Sequence, residues 1–495
     1  MTSVEAFTKW SAENGIKAPH VHVAKTENAG YGLFADQDFA LNDNDDAVTT
    51  NDPLVHIPRD LLITSVRALI DNPVLRDTLH SLFHIGDNNS GIIEKIASEP
   101  KNERLSLRLF LALQKFSTNE QQQQSPTPFW KPYIDILPSL DEVSQQHPLF
   151  LINDESKSLG LDGTNLSRSI RAKRSALVRE LELVKTVVEW MTLDMWMWAD
   201  IVFWSRVVSL EHGDLALIPF FDFANHSSQP NIRWCPSQDG GIDFVPYTSS
   251  TDHSTLLAGN ELLLSYGDKS NQELLFLHGF TLNNNPEPSR VTLPVTGFLD
   301  MSIMESQVKL SWISQSAVKP VLTLMGSTLL DSSKGDDTTT GKTGENDKEE
   351  TTDLSTLSTG WTTESIALMY LVALDQDDGL TFELCMIIQA SLANESVEDL
   401  DDLVKKVGML DHSAVICLRV VMLLLDALEY HLQMIQSSSF SSSTNTEMMT
   451  HIERYKQDEM QLLQRSIEKL ATLRDTLMTH DTVVVYLAAQ DDVQA

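Results

Sequence analysis

A carboxylate, an amide and an imidazole sit close together at Asp222, Asn225 and His226, within the stretch ALIPFFDFANHSSQPN that runs from 216 to 231. The apolar run before them reads as a buried strand that delivers all three to one place. Each must find a partner, because a buried polar group left unsatisfied costs about 1–3 kcal/mol. The group therefore either closes a knot of backbone hydrogen bonds or holds a polar ligand. Taken alone, Asn225 with His226, Ser227 and Ser228 is as consistent with a turn, and a histidine on a strand is more often a satisfied core residue than a ligand-binding one.

Two other segments carry comparable side chains. Residues 29–35, AGYGLFA, place a Gly-x-Gly after a strand. It lacks the third glycine and following helix of a dinucleotide fold and is too short for a phosphate loop. Its glycines either make a turn or let main-chain groups approach a ligand closely, since no Cβ intervenes. Residues 262–280, LLLSYGDKSNQELLFLHGF, end a strand at Tyr266-Gly267, turn at Asp268–Asn271, form a short helix over Gln272–Leu277 and finish at Gly279-Phe280. Tyr266 at a strand end suits orienting or proton-handling work, or caps the edge of a core.

The elements that must position these groups follow from periodicity and turn residues. Val21–Ala24, Gly32–Ala35 and Leu54–Ile57 read as short strands, whereas Leu61–Trp204 is dominated by apolar-periodic helical segments. A helical block is thus inserted between β segments. Within it, Gln121–Gln124 and the SPTP that follows make a loop, and FWKPYIDIL at Phe129–Leu137 reads as a packed anchor. Strand patterns return at Leu215–Phe220, Ile242–Val245 and Leu262–Ser265. The region Gly326–Gly360 is rich in Ser, Thr, Asp and Lys and is expected to be a mobile loop. Beyond it, Glu364–Leu374, Ser396–Val407, Ser413–Gln433 and Glu447–Leu477 read as amphipathic helices, interrupted by the serines of Ser437–Ser443. No internal repeat of fixed period is present.

Composition sets outer bounds. The 495 residues suffice for about two or three domains. A hydrophobic share of 42% supports packed cores rather than general disorder. The formal charge of −34 disfavours nucleic acid and suits a basic protein partner, or simply a soluble surface. Cys235, Cys385 and Cys417 are too few and too scattered for a disulfide framework or a closed zinc site, so no metal and a reducing compartment are expected. The N-terminal residues show no signal or transit pattern. The apolar runs Met195–Val208 and Val415–Leu425 are broken or bounded by Asp200, Arg206, Arg419 and Asp426, short of the roughly 20 residues of a membrane span.

The order of these pieces resembles the SET-domain protein methyltransferases. It runs from Gly-x-Gly through a helical insertion to Ser205-Arg206, then Asp222-x-x-Asn225-His226, Tyr266-Gly267 and Gly279-Phe280. More narrowly, the chain resembles the branch of the Rubisco large-subunit lysine methyltransferase and the actin-histidine methyltransferase. WSAENGI (10–16), LVHIPRDLLIT (54–64) and PYIDILP (132–138) add to the match. The resemblance implies an α+β fold: a β-rich SET domain over 1–285, with β segments at about 20–60 and 206–283 and a helical insertion at about 61–204. An all-helical substrate-binding domain then spans 286–495.

The resemblance also implies S-adenosyl-L-methionine as cofactor, a protein substrate and a reaction on lysine. Carried over, Ala29, Gly30 and Tyr31 line the cofactor loop, Ser205 and Arg206 reach its carboxylate, and Asp222, Asn225 and His226 take its amino group and adenine. Tyr266 is the catalytic residue beside the methyl-transfer channel. His278 stands where many lysine-modifying members have a tyrosine. Val208 stands where the actin-histidine enzyme has an imidazole-orienting asparagine, so lysine is favoured over histidine as acceptor. The expected protein is a cytoplasmic monomer, with the nucleus an alternative location, that binds neither nucleic acid nor membrane. A catalytically silent SET scaffold, a protein-histidine methyltransferase and a purely helical interaction protein are the competing readings.

Overall fold

The computed structural model describes residues 2–26, 30–40, 53–85, 89–117, 129–152, 160–211, 213–247, 255–315, 318–326, 360–374, 407–439 and 446–494. Ala29, Cys385, the glutamine run with its SPTP, residues 327–359 of the loop expected at 326–360, most of the helix expected at Ser396–Val407 and the end of the serine run lie outside the described residues. The chain divides into two units. The first comprises Met1–Lys157, Ser169–Lys269 and Glu273–Phe280; the second comprises Ser158–Arg168, Ser270–Gln272 and Thr281–Ala495.

The first unit gathers short strands around an inserted helical block. Val21–Lys25 and Tyr31–Ala35 form an antiparallel hairpin with Val23 opposite Leu33. Val55–Ile57, Ile242–Pro246 and Ile232–Pro236 make a three-stranded sheet with Ile242–Pro246 in the middle, and Leu215–Leu217 lies between Ile63–Thr64 and Val208–Ser209 in another. Asn225–His226 pairs in parallel with Leu263–Leu264. Val21, Val23, Leu33 and Ala35 are buried at alternate positions, the period-two pattern of a half-buried strand.

Among the inserted helices, Leu193–Arg206 sets the position of the site. Thr192 caps it by accepting from the Met195 amide, and every residue from Trp196 to Phe203 is buried, as suits a helix apolar on all faces. Its one buried carboxylate, Asp200, is met from two sides by Arg108 Nη1 at 2.9 Å and Lys173 Nζ at 2.9 Å. Arg108 also pairs with Glu180 at 2.8 Å and lies over the Trp196 ring. These ties fix where the helix ends, and it ends on Ser205-Arg206.

Among its described residues the second unit is mostly helical, with an antiparallel pair of strands, Arg290–Pro294 with Val321–Met325. The pair was not singled out in the sequence, where five residues of Val-x-Leu or Leu-x-Leu alternation are too short to stand apart from helical patterns. Val291, Leu293, Leu322 and Leu324 face the core formed with the helices Thr363–Ala373, Ser413–Ser437 and Thr446–Met478. Among the described residues no helix is long and apolar enough to cross a membrane.

A buried carboxylate organises this unit. Glu459, 1% exposed, accepts from the Asn165 amide at 2.9 Å, from the Tyr455 hydroxyl and from His431 Nε2 at 2.9 Å. The Leu166 amide donates to Tyr455 at 3.0 Å. An acceptor thus serves two of the free amide ends that open the helix Asn165–Lys185. Replacing Glu459 with Ala orphans several buried donors, and we expect a loss of about 3 kcal/mol in urea unfolding. An unchanged midpoint would remove this organising role.

Candidate active site

Arg206 and Asp222 form the floor of the site. Arg206 Nη1 donates to the Asp222 carbonyl at 2.8 Å and lies 3.2 Å from Oδ2. Tyr133 donates its hydroxyl to the same Oδ2 at 2.7 Å. The Asp222 side chain is 1% exposed. Burial pushes its carboxyl above the ordinary range, while Arg206 and the Tyr133 hydroxyl pull it back. Burial also works against the charge on Arg206, and the Asp222 carboxylate with the neighbouring phenols outweighs it, so the guanidinium stays charged. Burial, then the Asp222 charge, keeps Tyr133 protonated.

The chain reaches this geometry through an uncommon bend. Phe220 has φ 76°, in the region that favours glycine. Its ring is held against Phe7 at a centroid distance of 6.3 Å, and Phe7 also contacts Phe223 at 5.3 Å and Tyr133 at 6.4 Å. Aromatic packing therefore supports a backbone conformation that costs about 1–3 kcal/mol. After the bend, the single turn Phe221–Phe223 aims Asp222 inward.

Asn225 ties the start of the strand Tyr31–Ala35 to Glu261, just before the strand Leu263–Leu264. Its Nδ2 donates to the Tyr31 carbonyl at 3.2 Å and to Glu261 Oε1 at 2.6 Å. The two glycines of the loop differ in purpose. Gly30 has φ 77° and, among the described residues, nothing within 4 Å of the place of a Cβ, so its need is torsional. A Cβ on Gly32 would strike the Glu261 carboxylate and the Thr26 methyl, so its need is space. The Tyr31 ring meets Phe223 edge-on at 6.2 Å, and Phe223 in turn lies under the Arg206 guanidinium at 5.7 Å.

A layer of rings completes the site. Tyr266 stacks on His226 at 5.0 Å and meets His278 at 5.0 Å on another side; Phe280 lies 6.3 Å from His226 and 5.9 Å from His278. His226 Nδ1 lies 3.0 Å from the Tyr266 amide and 3.3 Å from the Leu264 carbonyl, so the ring is held by the main chain on both sides of that nitrogen. The Tyr266 hydroxyl donates to the Ala224 carbonyl at 3.0 Å and leaves its lone pairs free to accept. Burial pushes this phenol up to about 12, so it is neutral at physiological pH. Burial lowers His226 as well. Burial, then the charges of Lys269 and other neighbours, lowers His278 to about 3, and among the described residues its buried Nε2 has no hydrogen-bond partner. His147, packed against Gly279, is lowered to about 3 by burial.

The structure thus brings together Tyr31, Arg206, Asp222, Asn225, His226, Tyr266 and His278, with Gly30 next to Tyr31. Arg206 and Asp222 contact each other directly. Ser205 turns its hydroxyl back to the Val202 carbonyl at 3.2 Å within its own helix. Three contributors were not singled out in the sequence. Tyr133 lay inside the PYIDILP stretch, which gave a usable signal. Glu261 and His147 carried none, because their importance comes from partners far away along the chain.

This architecture has the SET fold. The structure of Rubisco LSMT bound to AdoMet superposes with a TM-score of 0.62 at 17% identity, covering 96% of this chain and 93% of that one. The SET domain of LSMT bound to lysine and AdoHcy superposes with a TM-score of 0.63 at 17% identity, covering 96% and 92%.

In sequence, the chain is similar to the protein-lysine N-methyltransferase EFM1 of Saccharomyces cerevisiae, 23% identical over 354 residues, which are 60% of this chain and 53% of that protein. It is also similar to the human actin-histidine N-methyltransferase, 23% identical over 294 residues, 56% of this chain and 42% of that protein. The chain therefore spans about half the length of the curated relatives it matches. No protein-family model matches it.

The buried ring nitrogens of His147 and His278 predict an acid-sensitive fold. His147 and His278 stay neutral in the folded state down to about 3. Unfolded, they bind protons below about 6.5. The unfolded state then holds more protons, so stability falls as pH drops from about 6.5 toward 3, by up to about 1.4 kcal/mol per pH unit for each. Urea midpoints between pH 7 and pH 5 should fall, less steeply in His278→Phe; parallel profiles would refute the assignment.

Proposed function

We propose that this chain is an S-adenosylmethionine-dependent protein methyltransferase that modifies lysine. The convergence of Tyr31, Arg206, Asp222, Asn225 and Tyr266 around one bend carries the reading. Among the described residues Arg206 Nε and Asp222 Oδ1 are buried without a hydrogen-bond partner; the unspent donor suits the carboxylate of the cofactor's methionine moiety, and the Asp222 charge adds to the pull of Asn225 on its ammonium. The open face at Gly30 leaves main-chain groups approachable. Arg206, Asn225 and the main chain of Gly30–Tyr31 and His226 would hold the cofactor. When bound, it supplies a methyl group on positively charged sulfur.

Tyr266 then orients rather than abstracts. A neutral phenol that donates to Ala224 offers lone pairs to an incoming amine or to methyl hydrogens. A lysine must first lose a proton, at a cost of roughly 4–5 kcal/mol at pH 7. Burial and the Arg206 charge both favour the neutral amine, so no dedicated base is required. Val208 offers no amide to orient an imidazole, which favours lysine over histidine. The acidic composition suits a basic protein target.

Incubation with labelled S-adenosylmethionine and an extract lacking the protein tests this directly. A labelled protein containing methyl-lysine supports the reading, and methyl-histidine would replace lysine. Cofactor binding without any product would mark a silent scaffold. Tyr266→Phe should slow methyl transfer about 100-fold or more while changing cofactor affinity less than about threefold; equal turnover would remove Tyr266 from the mechanism. Capture of a basic target should weaken steeply as salt is raised from 50 to 300 mM, roughly the range over which the Debye length shortens below about 10 Å.

A further inference from the structure

We propose that Glu261 is a positioning residue that fixes the Asn225 amide so that its oxygen, not its nitrogen, faces the bound ligand. The proposal rests on the cofactor reading above and assigns Asn225 Oδ1 to the ligand's α-ammonium. An asparagine amide has two N–H donors and one acceptor oxygen, and its two ends are nearly identical in shape. Here both neighbours of Nδ2 are acceptors only, the Tyr31 carbonyl at 3.2 Å and the Glu261 carboxylate at 2.6 Å. A half-turn of the amide would set oxygen against oxygen twice. Both N–H groups are therefore spent on protein, and among the described residues no donor reaches Oδ1.

Glu261 is held rigidly enough for this task. Asn231 donates to its carbonyl at 2.8 Å and accepts from the next-but-one amide, Leu263, at 2.8 Å. The flanking Leu262 amide donates to Leu33 at 2.7 Å, and Glu261 itself bridges to Phe34. These contacts carry the side chain over Gly32, where the absent Cβ leaves room for the carboxylate. The glycine, the glutamate and the asparagine form one device: space, charge and a locked amide. A ligand group that meets Oδ1 must donate, and with Glu261 behind the amide a cation is favoured over a neutral donor.

Glu261→Gln is the test, because it keeps size but offers an N–H to Asn225 and so removes the constraint on the amide. Calorimetry on the full chain would use S-adenosylhomocysteine and its analogue with hydrogen in place of the α-amino group. Thermal unfolding would confirm that the variant is folded. We expect a tenfold or larger loss of affinity for S-adenosylhomocysteine and a change of less than about twofold for the analogue. Unchanged affinity for S-adenosylhomocysteine would overturn the proposal and leave the cofactor reading intact, as would equal losses for both ligands, which mark a merely structural glutamate. If the unaltered chain binds neither ligand, the cofactor reading fails and takes this inference with it.

Discussion

The ion pair between Arg206 and Asp222 is the interaction on which the first unit depends most. A carboxylate this far from water survives only because a guanidinium and a phenol share it. To meet it, the long apolar helix must end at Arg206, the segment after Pro219 must bend at Phe220, and Tyr133 must arrive from the inserted helices. Three separate parts of the chain are committed by one buried charge. Its value lies less in net stability, since such pairs often roughly break even against apolar replacements, than in permitting only one arrangement of those parts.

Around that fixed point the site is built from half-buried rings whose charged forms are disfavoured. Tyr266, His226 and His278 lie face to face or tilted together, each denied its charged form by burial. Such an environment disfavours charge on any group that enters among the rings. The same burial explains why no strong base is found among these rings.

Much of this could be seen from residue order. Long periodic segments such as Ser413–Ser437 and Thr446–Met478 announced themselves, as did the strands flanking the glycines and the cluster at 222–226. Resolution failed where significance came from distant partners. Nothing in the letters around Glu261 indicates that its carboxylate reaches Asn225, and the Gly-x-Gly pattern does not reveal that one glycine serves torsion and the other space. Tyr133 lies in a stretch that reads as a packed anchor and adds to the family match, but nothing there shows that its hydroxyl meets Asp222. The strands at Arg290–Pro294 and Val321–Met325 were hidden because alternation over so few residues does not separate strand from buried helix.

The bend at Phe220 limits how this chain can drift. Glycine there would relieve the torsion and abandon the contact with Phe7; a branched aliphatic residue would lose the ring and increase the strain. No neighbouring substitution improves both backbone and packing at once. Phe220 is thus locked into a compromise, and lasting change at that position requires compensation at Phe7, on the helix Ser3–Glu13.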